Sequence, residues 1–146
     1  MKKMSEEIIN PEEEFKALEE IVIRVRNPEE ISADISNLRD KALQLYNEMQ
    51  YNKSLEYWQV ITDNDSYNVE AWAVQALIYD AYLKQPERAL SCYDKVTELT
   101  EEFSQENQMA WDGKARVLMA LGRQDEADNA TIKGYTYNRI LLDGIE

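Results

Sequence analysis

The stretch WDGKARVLMALGRQDEADNA, residues 111–130, carries the pattern that decides the fold. Its Trp111, Ala115 and Leu118 are spaced by four and then three residues, so they lie on one face of a helix. Gly122 follows at a place where a glycine in the left-handed conformation commonly ends a helix. A second triplet with the same spacing begins a few residues after this glycine. The stretch therefore predicts two helices joined by a short turn.

The same two triplets recur twice more towards the N-terminus. The first-helix triplets are Leu38, Ala42 and Leu45; Trp72, Ala76 and Tyr79; and Trp111, Ala115 and Leu118. The second-helix triplets are Ser54, Trp58 and Ile61; Ala89, Tyr93 and Val96; and Ala127, Thr131 and Gly134. A small middle residue lets the partner helix approach closely, so Ala42, Ala76 and Ala115 are predicted crossing positions. The connecting sequences MQYN, LKQPE and LGRQD are short, which favours antiparallel pairs.

Three such pairs in register resemble the tetratricopeptide repeat family. The last repeat matches the family pattern at Trp111, Ala115, Leu118, Gly122, Ala127 and Gly134, and the second at Trp72, Ala76, Tyr79, Ala89, Tyr93 and Val96. The resemblance implies an all-α fold of antiparallel helix pairs in a right-handed superhelix, with pairs at about 35–68, 69–107 and 108–137. Since Trp58, Trp72 and Trp111 fall on repeat positions, we interpret all three as packing residues.

The second repeat departs from the family spacing. Leu38 and Trp72 are 34 residues apart, which is the family period, whereas Trp72 and Trp111 are 39 apart. We place one of the five extra residues in the turn near Gln85 and the other four in the tail 96–108. This insertion argues against an even superhelical stacking of the second and third repeats.

The N-terminal region, residues 1–34, is predicted to be an acidic segment with an amphipathic capping helix over about 11–26. Its start is indicated by NPEEEF, in which Asn10 caps the helix and a proline and acids occupy the first turn. An apolar stripe follows through Phe15, Leu18, Val22 and Val25. Because IVIRVR is β-branched and alternates, a strand over 21–26 is the alternative.

A second helix start is indicated by NPEEIS from Asn27. This helix is expected to run to about Met49, either unbroken or interrupted near 32–36. At the other end of the chain, the tail 138–146 is expected to continue the last helix. About seven or eight helices are therefore expected in all.

The composition excludes several classes of function. The net charge of -13 repels phosphate backbones and anionic headgroups, so neither nucleic acid nor a membrane is an expected partner. The chain contains no histidine, which removes the usual general base and metal ligand. Its single cysteine, Cys92, forms no internal disulfide. With neither a signal peptide nor a membrane span in the sequence, we expect a soluble, cytoplasmic protein.

The sequence contains no complete motif for catalysis or metal binding. The sequence DNDSYNVE begins like a calcium loop, but Tyr67, Asn68 and Val74 stand where an oxygen ligand, the turn glycine and the bidentate glutamate are needed. Its simpler role is to link two repeats, with Asp65 or Ser66 near a helix start. Phosphate loops, paired-cysteine zinc sites and nucleophile elbows are also missing from the sequence. We therefore expect no enzyme activity, no cofactor and no metal.

The resemblance also implies a place for binding, because this family commonly holds a peptide or a partner's helix in a groove lined by the first helix of each pair. Transferring that frame predicts the groove residues Arg39, Leu43, Tyr46, Asn47, Ala73, Leu77, Asp80, Ala81, Met109, Asp112, Arg116 and Met119. Such a mixed surface suits a basic or amphipathic segment of another protein. The family's clamp for a chaperone's C-terminal carboxylate is not expected, since Leu43, Val74 and Gly113 occupy its positions.

Two functions therefore stay open. The first is a non-enzymatic adaptor or assembly scaffold that binds a partner protein in its groove, unless the N-terminal helix over 11–26 covers that groove itself. The second is a structural protein that dimerises through apolar terminal helices. The C-terminal Tyr135, Ile140 and Leu141 could either cover the end of the array or form such a dimer.

Overall fold

The structure, a computed structural model, describes the backbone of residues 10–14, 16 and 28–143 and the side chains of residues 10–14, 16 and 32–134. Within these residues the secondary structure is helical and contains no strand. The predicted all-α fold of packed helix pairs is confirmed. The alternative of a strand over 21–26 lies outside the described residues. The chain divides into two compact units, residues 1–64 and 65–146.

The first unit contains one pair of packed helices, α1 (Pro28–Asn47) and α2 (Tyr51–Asn64). α1 is continuous, so the interruption considered near 32–36 does not occur. Ala42 and Ser54 are both fully buried, and the Ser54 hydroxyl donates a hydrogen bond to the Ala42 carbonyl over 2.8 Å. Ala42 is therefore a crossing position, as predicted.

The second unit contains the remaining described helices, which are α3 (Val69–Leu77), a π-helical segment (Ile78–Tyr82), α4 (Pro86–Leu99), α5 (Gln105–Ala120) and α6 (Gln124–Asp143). Each packs against the next along the chain, α3 on α4, α4 on α5 and α5 on α6. Ala76, Ala89 and Ala127 are fully buried, which fits close approach between neighbouring helices. Ala115 is only partly buried and packs against the buried cluster of Leu118, Ala127 and Ala130.

The three turns inside the helix pairs share one backbone feature. Each contains a residue with positive φ, namely Met49 (63°), Lys84 (54°) and Gly122 (75°). Two hydrogen bonds close the last of these turns, from Gly122 N to Met119 O over 3.0 Å and from the next N–H to Leu118 O over 2.9 Å. This is a Schellman motif, in which Gly122 has the left-handed conformation predicted for it. The other two turns adopt the left-handed conformation without glycine, which carries a steric cost.

One extra residue of the second repeat lies in the π-helical segment. The Gln85 N–H donates to the Tyr79 carbonyl, six residues earlier in the chain. At the matching place in the first pair, the Gln50 N–H donates to the Leu45 carbonyl, only five residues earlier. The prediction placed this residue in the turn near Gln85 and was wrong about its place. A π-helical turn is wider than an α-helical one, so it absorbs an extra residue before the chain reaches the turn.

The other four extra residues lie between α4 and Trp111. One lengthens the linker before α5, and three form an additional first turn of α5. The buried Asn107 ties this turn to the end of α4, because its side-chain amide donates to the Thr97 carbonyl over 3.5 Å and to the hydroxyl of Thr100, the residue that follows α4, over 3.1 Å. Its backbone N–H donates to the capping hydroxyl of Ser104, also over 3.1 Å. Asn107 therefore binds the additional turn both to its N-cap and to the end of the preceding helix.

The linker between α2 and α3 is closed by short polar side chains. Asn68 caps α3, since its side-chain oxygen accepts a hydrogen bond from Ala71 N over 3.0 Å. The prediction favoured Asp65 or Ser66 for a place near the helix start. Asp65 instead accepts a bond from Tyr67 N over 3.2 Å and so shapes the linker itself.

The three tryptophans differ in burial. Trp58 is fully buried in the first unit, as its packing role requires. Trp72 and Trp111, in the second unit, are only partly buried. The Trp72 indole N–H donates to the Ser66 carbonyl over 2.9 Å. The packing interpretation thus holds fully for Trp58, while the other two indoles keep part of their surface accessible.

Candidate binding groove

The second unit contains a groove bordered by α3, α4 and α5, with a volume of about 460 Å3. Most of its lining is apolar, and charged side chains are confined to α5. The lining residues are Ala73, Val74, Leu77, Tyr93, Val96, Glu106, Met109, Ala110, Asp112 and Arg116. A surface of this composition can accept apolar side chains while charged groups fix their orientation.

A single stripe along α5 forms one side of the groove. Met109, Asp112 and Arg116 follow one another at helical spacing, and Glu106 precedes them by one turn. Glu106 belongs to the additional first turn of α5. The insertion in the second repeat therefore lengthens this side of the groove by about one helical turn.

Asp80, Tyr93 and Arg116 form a hydrogen-bonded network at the Arg116 end of the groove. Asp80 Oδ2 accepts bonds from Arg116 Nη2 over 2.7 Å and from Arg116 Nε over 3.1 Å. It also accepts a bond from the Tyr93 hydroxyl over 3.1 Å. The Asp80 side chain is only 15% exposed, so these donors replace most of its water. The network holds the Arg116 guanidinium at the rim.

The network is a fixed support at neutral pH and not an acid–base pair. Burial raises the pKa of the Tyr93 hydroxyl to about 12, and the Asp80 carboxylate adds to the rise. The hydrogen bond to Asp80 raises the pKa of the Arg116 guanidinium. The phenol therefore stays protonated and the guanidinium stays charged, so both donate to Asp80, and Arg116 Nη2 also donates to the Tyr93 hydroxyl over 3.3 Å.

The Tyr93 ring is positioned by Gly113. A Cβ atom on Gly113 would overlap carbon atoms of the Tyr93 ring, so the ring lies directly on the backbone of α5. Glycine inside a helix costs stability relative to alanine. Here it permits an approach of α4 to α5 that no other residue would allow without a shift of the ring.

Several of the predicted site residues lie together in the groove. Leu77, Met109, Asp112 and Arg116 line it together, and so does the predicted Ala73 on α3. Asp80 joins them through its hydrogen bonds to Arg116. The remaining two predictions in this unit, Met119 and Ala81, are exposed but are not among the lining residues.

Arg39, Leu43, Tyr46 and Asn47 lie on α1 in the first unit. Arg39 and Asn47 are exposed, and Leu43 and Tyr46 are partly buried. The Tyr46 ring packs edge-on against the Tyr51 ring, with 5.4 Å between their centroids. A binding role for these residues stays a prediction.

The predicted groove, which was built from the first helix of each pair, omits half of the lining residues. These are Val74, Tyr93, Val96, Glu106 and Ala110. Tyr93 and Val96 belong to the second helix of a pair, which the frame assigns to packing alone. Tyr93 reaches the groove because Gly113 leaves room for its ring on α5, and Val96 lines the groove three residues further along α4. A glycine in the middle of α5 was the sequence feature that could have indicated this close contact.

The described part of the N-terminal segment contacts α1 on another face. Asn10 caps it by accepting a bond from Glu12 N over 2.8 Å. Glu14 lies 3.5 Å from the Lys41 ammonium. On α1, Lys41 is on the side opposite to Leu43. Residues 10–14 and 16 thus do not cover the predicted groove face of α1, and the rest of the predicted capping helix lies outside the described residues.

Three further features bear on function. Among the described residues, no group of three or more cysteine or acidic side chains is arranged to bind a metal ion. Burial raises the pKa of the Cys92 thiol to about 12, which leaves it protonated and unreactive. None of the described helices combines the length and apolarity needed to cross a bilayer.

Comparison with solved structures finds the crystal structure of MamA. The TM-score is 0.67 and the sequence identity 12%, and the match covers 91% of this chain and 71% of the MamA chain. The fold is that of a helical repeat protein. At this identity the likeness concerns the fold alone. Neither a model of a protein family nor a curated protein sequence matches the chain.

Proposed function

We propose that the protein is a non-enzymatic interaction module of the tetratricopeptide repeat type, with pairs at about 35–68, 69–107 and 108–137, acting as an adaptor or scaffold in the cytoplasm. Its groove in the second unit binds an amphipathic segment of a partner protein. The observation that carries the proposal is the apolar lining between α3, α4 and α5, open to solvent in the isolated chain.

Exposed apolar side chains support a binding role. Met109 is 61% exposed and Leu77 is 38% exposed, although both line the groove. Covering such side chains on association releases the free energy of apolar burial, about 25 cal/mol per Å2. Methionine also adapts its shape to different partners, because it has three rotatable bonds.

The charges of the groove favour a basic partner segment. Glu106 and Asp112 contribute two carboxylates to the lining, while the one cation, Arg116, is already paired with Asp80. The Asp112 carboxylate accepts a bond from the Gln108 amide and stays at the surface. A lysine or arginine beside the apolar anchor of the partner would therefore meet negative charge at this rim.

A matched pair of variants tests the proposal. Leu77→Ser with Met109→Ser should abolish capture of partner proteins from a native lysate, because it removes the apolar contacts without disturbing a buried core. The control is Ile132→Ser, which changes an equally exposed apolar residue on α6 outside the groove. Both variants should keep the wild-type melting temperature within a few degrees.

Self-association is the alternative outcome of the same experiment. The residues proposed for it, Tyr135, Ile140 and Leu141, have side chains outside the described residues. Light scattering on the wild type and on the Leu77→Ser, Met109→Ser variant separates the two functions. A dimer that persists in the variant, together with unchanged capture, would contradict groove binding.

A further inference from the structure

A second pocket lies on the other side of α5 from the groove. It is bordered by α4, α5 and α6 and has a volume of about 300 Å3. On α5, Trp111, Lys114 and Leu118 face this pocket, whereas Asp112 and Arg116 face the groove. The two sites share a helix but no lining residue, so the second pocket can be considered by itself.

The pocket gathers basic side chains in an acidic protein. The chain has 16 basic and 29 acidic residues, yet Lys114, Arg123 and Lys133 line the pocket against only two acids, Asp94 and Glu126. Both acids are paired. Lys114 Nζ lies 2.7 Å from Asp94 Oδ1, and Arg123 forms an ion pair with Glu126. The remaining positive charge is that of Lys133.

Lys133 and Lys114 converge on one indole ring. Lys114 Nζ lies 4.1 Å and Lys133 Nζ 4.2 Å from the centroid of the Trp111 ring. The face of an aromatic ring attracts each ammonium group, but two cations held by one ring repel each other. Among the side chains that the structure describes, none places a carboxylate within ion-pair distance of Lys133. The positive charge of Lys133 is therefore not balanced by a carboxylate of the described residues.

We propose that this pocket binds a carboxylate group, held by the ammonium groups of Lys133 and Lys114 beside the Trp111 ring. The carboxylate would supply a counterion for Lys133, since Lys114 is already paired with Asp94, and its carbon stem would pack on the accessible part of the indole. The Asn129 amide in the lining can supply a further donor. Inorganic phosphate should bind more weakly than such a carboxylate, because it has no carbon stem to pack on the indole.

The carboxylate can come from a small organic acid or from an acidic side chain of a polypeptide, and titration calorimetry can distinguish the two sources. The probes are glutarate, a capped hexapeptide of alternating leucine and glutamate, its glutamine counterpart, and inorganic phosphate. Binding should also shift the indole N–H resonance of Trp111 in the NMR spectrum. Lys133→Gln should weaken binding of the carboxylate probe at least tenfold.

Lys95→Gln is the matched control. Lys95 also lies near an indole, 5.9 Å from the centroid of the Trp72 ring, but it does not line the pocket. This variant makes the same charge change and should bind the probe as the wild type does.

Glutarate binding as tightly as the peptide would identify a small acid as the ligand, and binding of the glutamate peptide alone would identify a polypeptide.

Four results would overturn the proposal. These are no binding of either carboxylate probe, equal binding of the glutamate and glutamine peptides without binding of glutarate, phosphate binding more tightly than glutarate, and equal effects of Lys133→Gln and Lys95→Gln. None of them bears on the groove, because the two sites share no lining residue.

Discussion

Gly113 and Tyr93 connect helix packing to the groove at the scale of single residues. The missing side chain of Gly113 gives the Tyr93 ring a place on the backbone of α5. From there the Tyr93 hydroxyl reaches Asp80, which also binds Arg116 at the groove rim. One small residue thus determines where a charged group of the candidate site lies.

Gly113→Ala should lower the free energy of unfolding by about 1–3 kcal/mol, because the added methyl group overlaps a buried ring that has little room to move. The control is Gly134→Ala, where the new methyl group would meet only the flexible end of the Asp112 side chain. Chemical denaturation measures both. Equal stabilities of the two variants would show that the ring is not packed on Gly113.

The stability of the protein should depend on Tyr93 at alkaline pH. The pKa of Tyr93 is about 12 in the folded protein and 10.0 in an unperturbed tyrosine, mainly because of burial. The folded state therefore holds this proton more tightly, so the contribution is complete below pH 10 and is lost as the pH rises towards 12. Tyr93→Phe should show a shallower loss of stability between these pH values.

Tyr67→Phe is the control for this pH profile, since Tyr67 is 78% exposed. Its denaturation midpoints should fall with pH as steeply as those of the wild type. A Tyr93→Phe profile parallel to that of the wild type would mean that the phenol is not buried in the folded protein.

At the scale of helices and turns, the sequence is informative where contacts are local. The triplet of Trp111, Ala115 and Leu118 predicts a helix because its spacing depends only on the pitch of that helix. The extra residue before Gln85 was counted correctly but misplaced, since the same count fits a longer turn or a π-helical segment. The groove role of Tyr93 depends on contacts with another helix, which the spacing within α4 does not contain.

The turn that ends α1 offers a test at this scale. Met49 has a φ of 63°, in the left-handed region that costs about 1–2 kcal/mol for a residue with a side chain. Met49→Gly should therefore raise the free energy of unfolding by about 0.5–1 kcal/mol, after the entropy that glycine loses on folding.

Met119→Gly is the matched control for this turn, because the same substitution falls within the helical range of α5. Glycine in a helix costs about 1 kcal/mol, so this variant should be less stable than the wild type. The midpoints of urea denaturation compare the stabilities of both variants with that of the wild type. A loss of stability in both variants would show that the Met49 backbone is not strained.

At the scale of the whole molecule, the net charge of -13 acts on any partner before contact. The field of an acidic protein attracts a basic segment at long range, whereas the apolar lining of the groove acts only at contact. The two sites differ in this respect. A carboxylate entering the Trp111 pocket must approach against the overall field and is attracted only by the local lysines.

Association of a basic partner segment with the groove should consequently slow as salt is added. Raising the ionic strength from about 0.01 to 1 M shortens the Debye length from roughly 30 to 3 Å, so the association rate should fall while the dissociation rate changes little. Stopped-flow fluorescence with a labelled peptide of alternating leucine and lysine measures both rates. Glu106→Gln should reduce the salt dependence further than Glu87→Gln, an exposed control outside the groove lining, because Glu106 lies beside the bound segment. A salt effect confined to dissociation, or equal effects of the two variants, would place the charge contact elsewhere than at the groove rim.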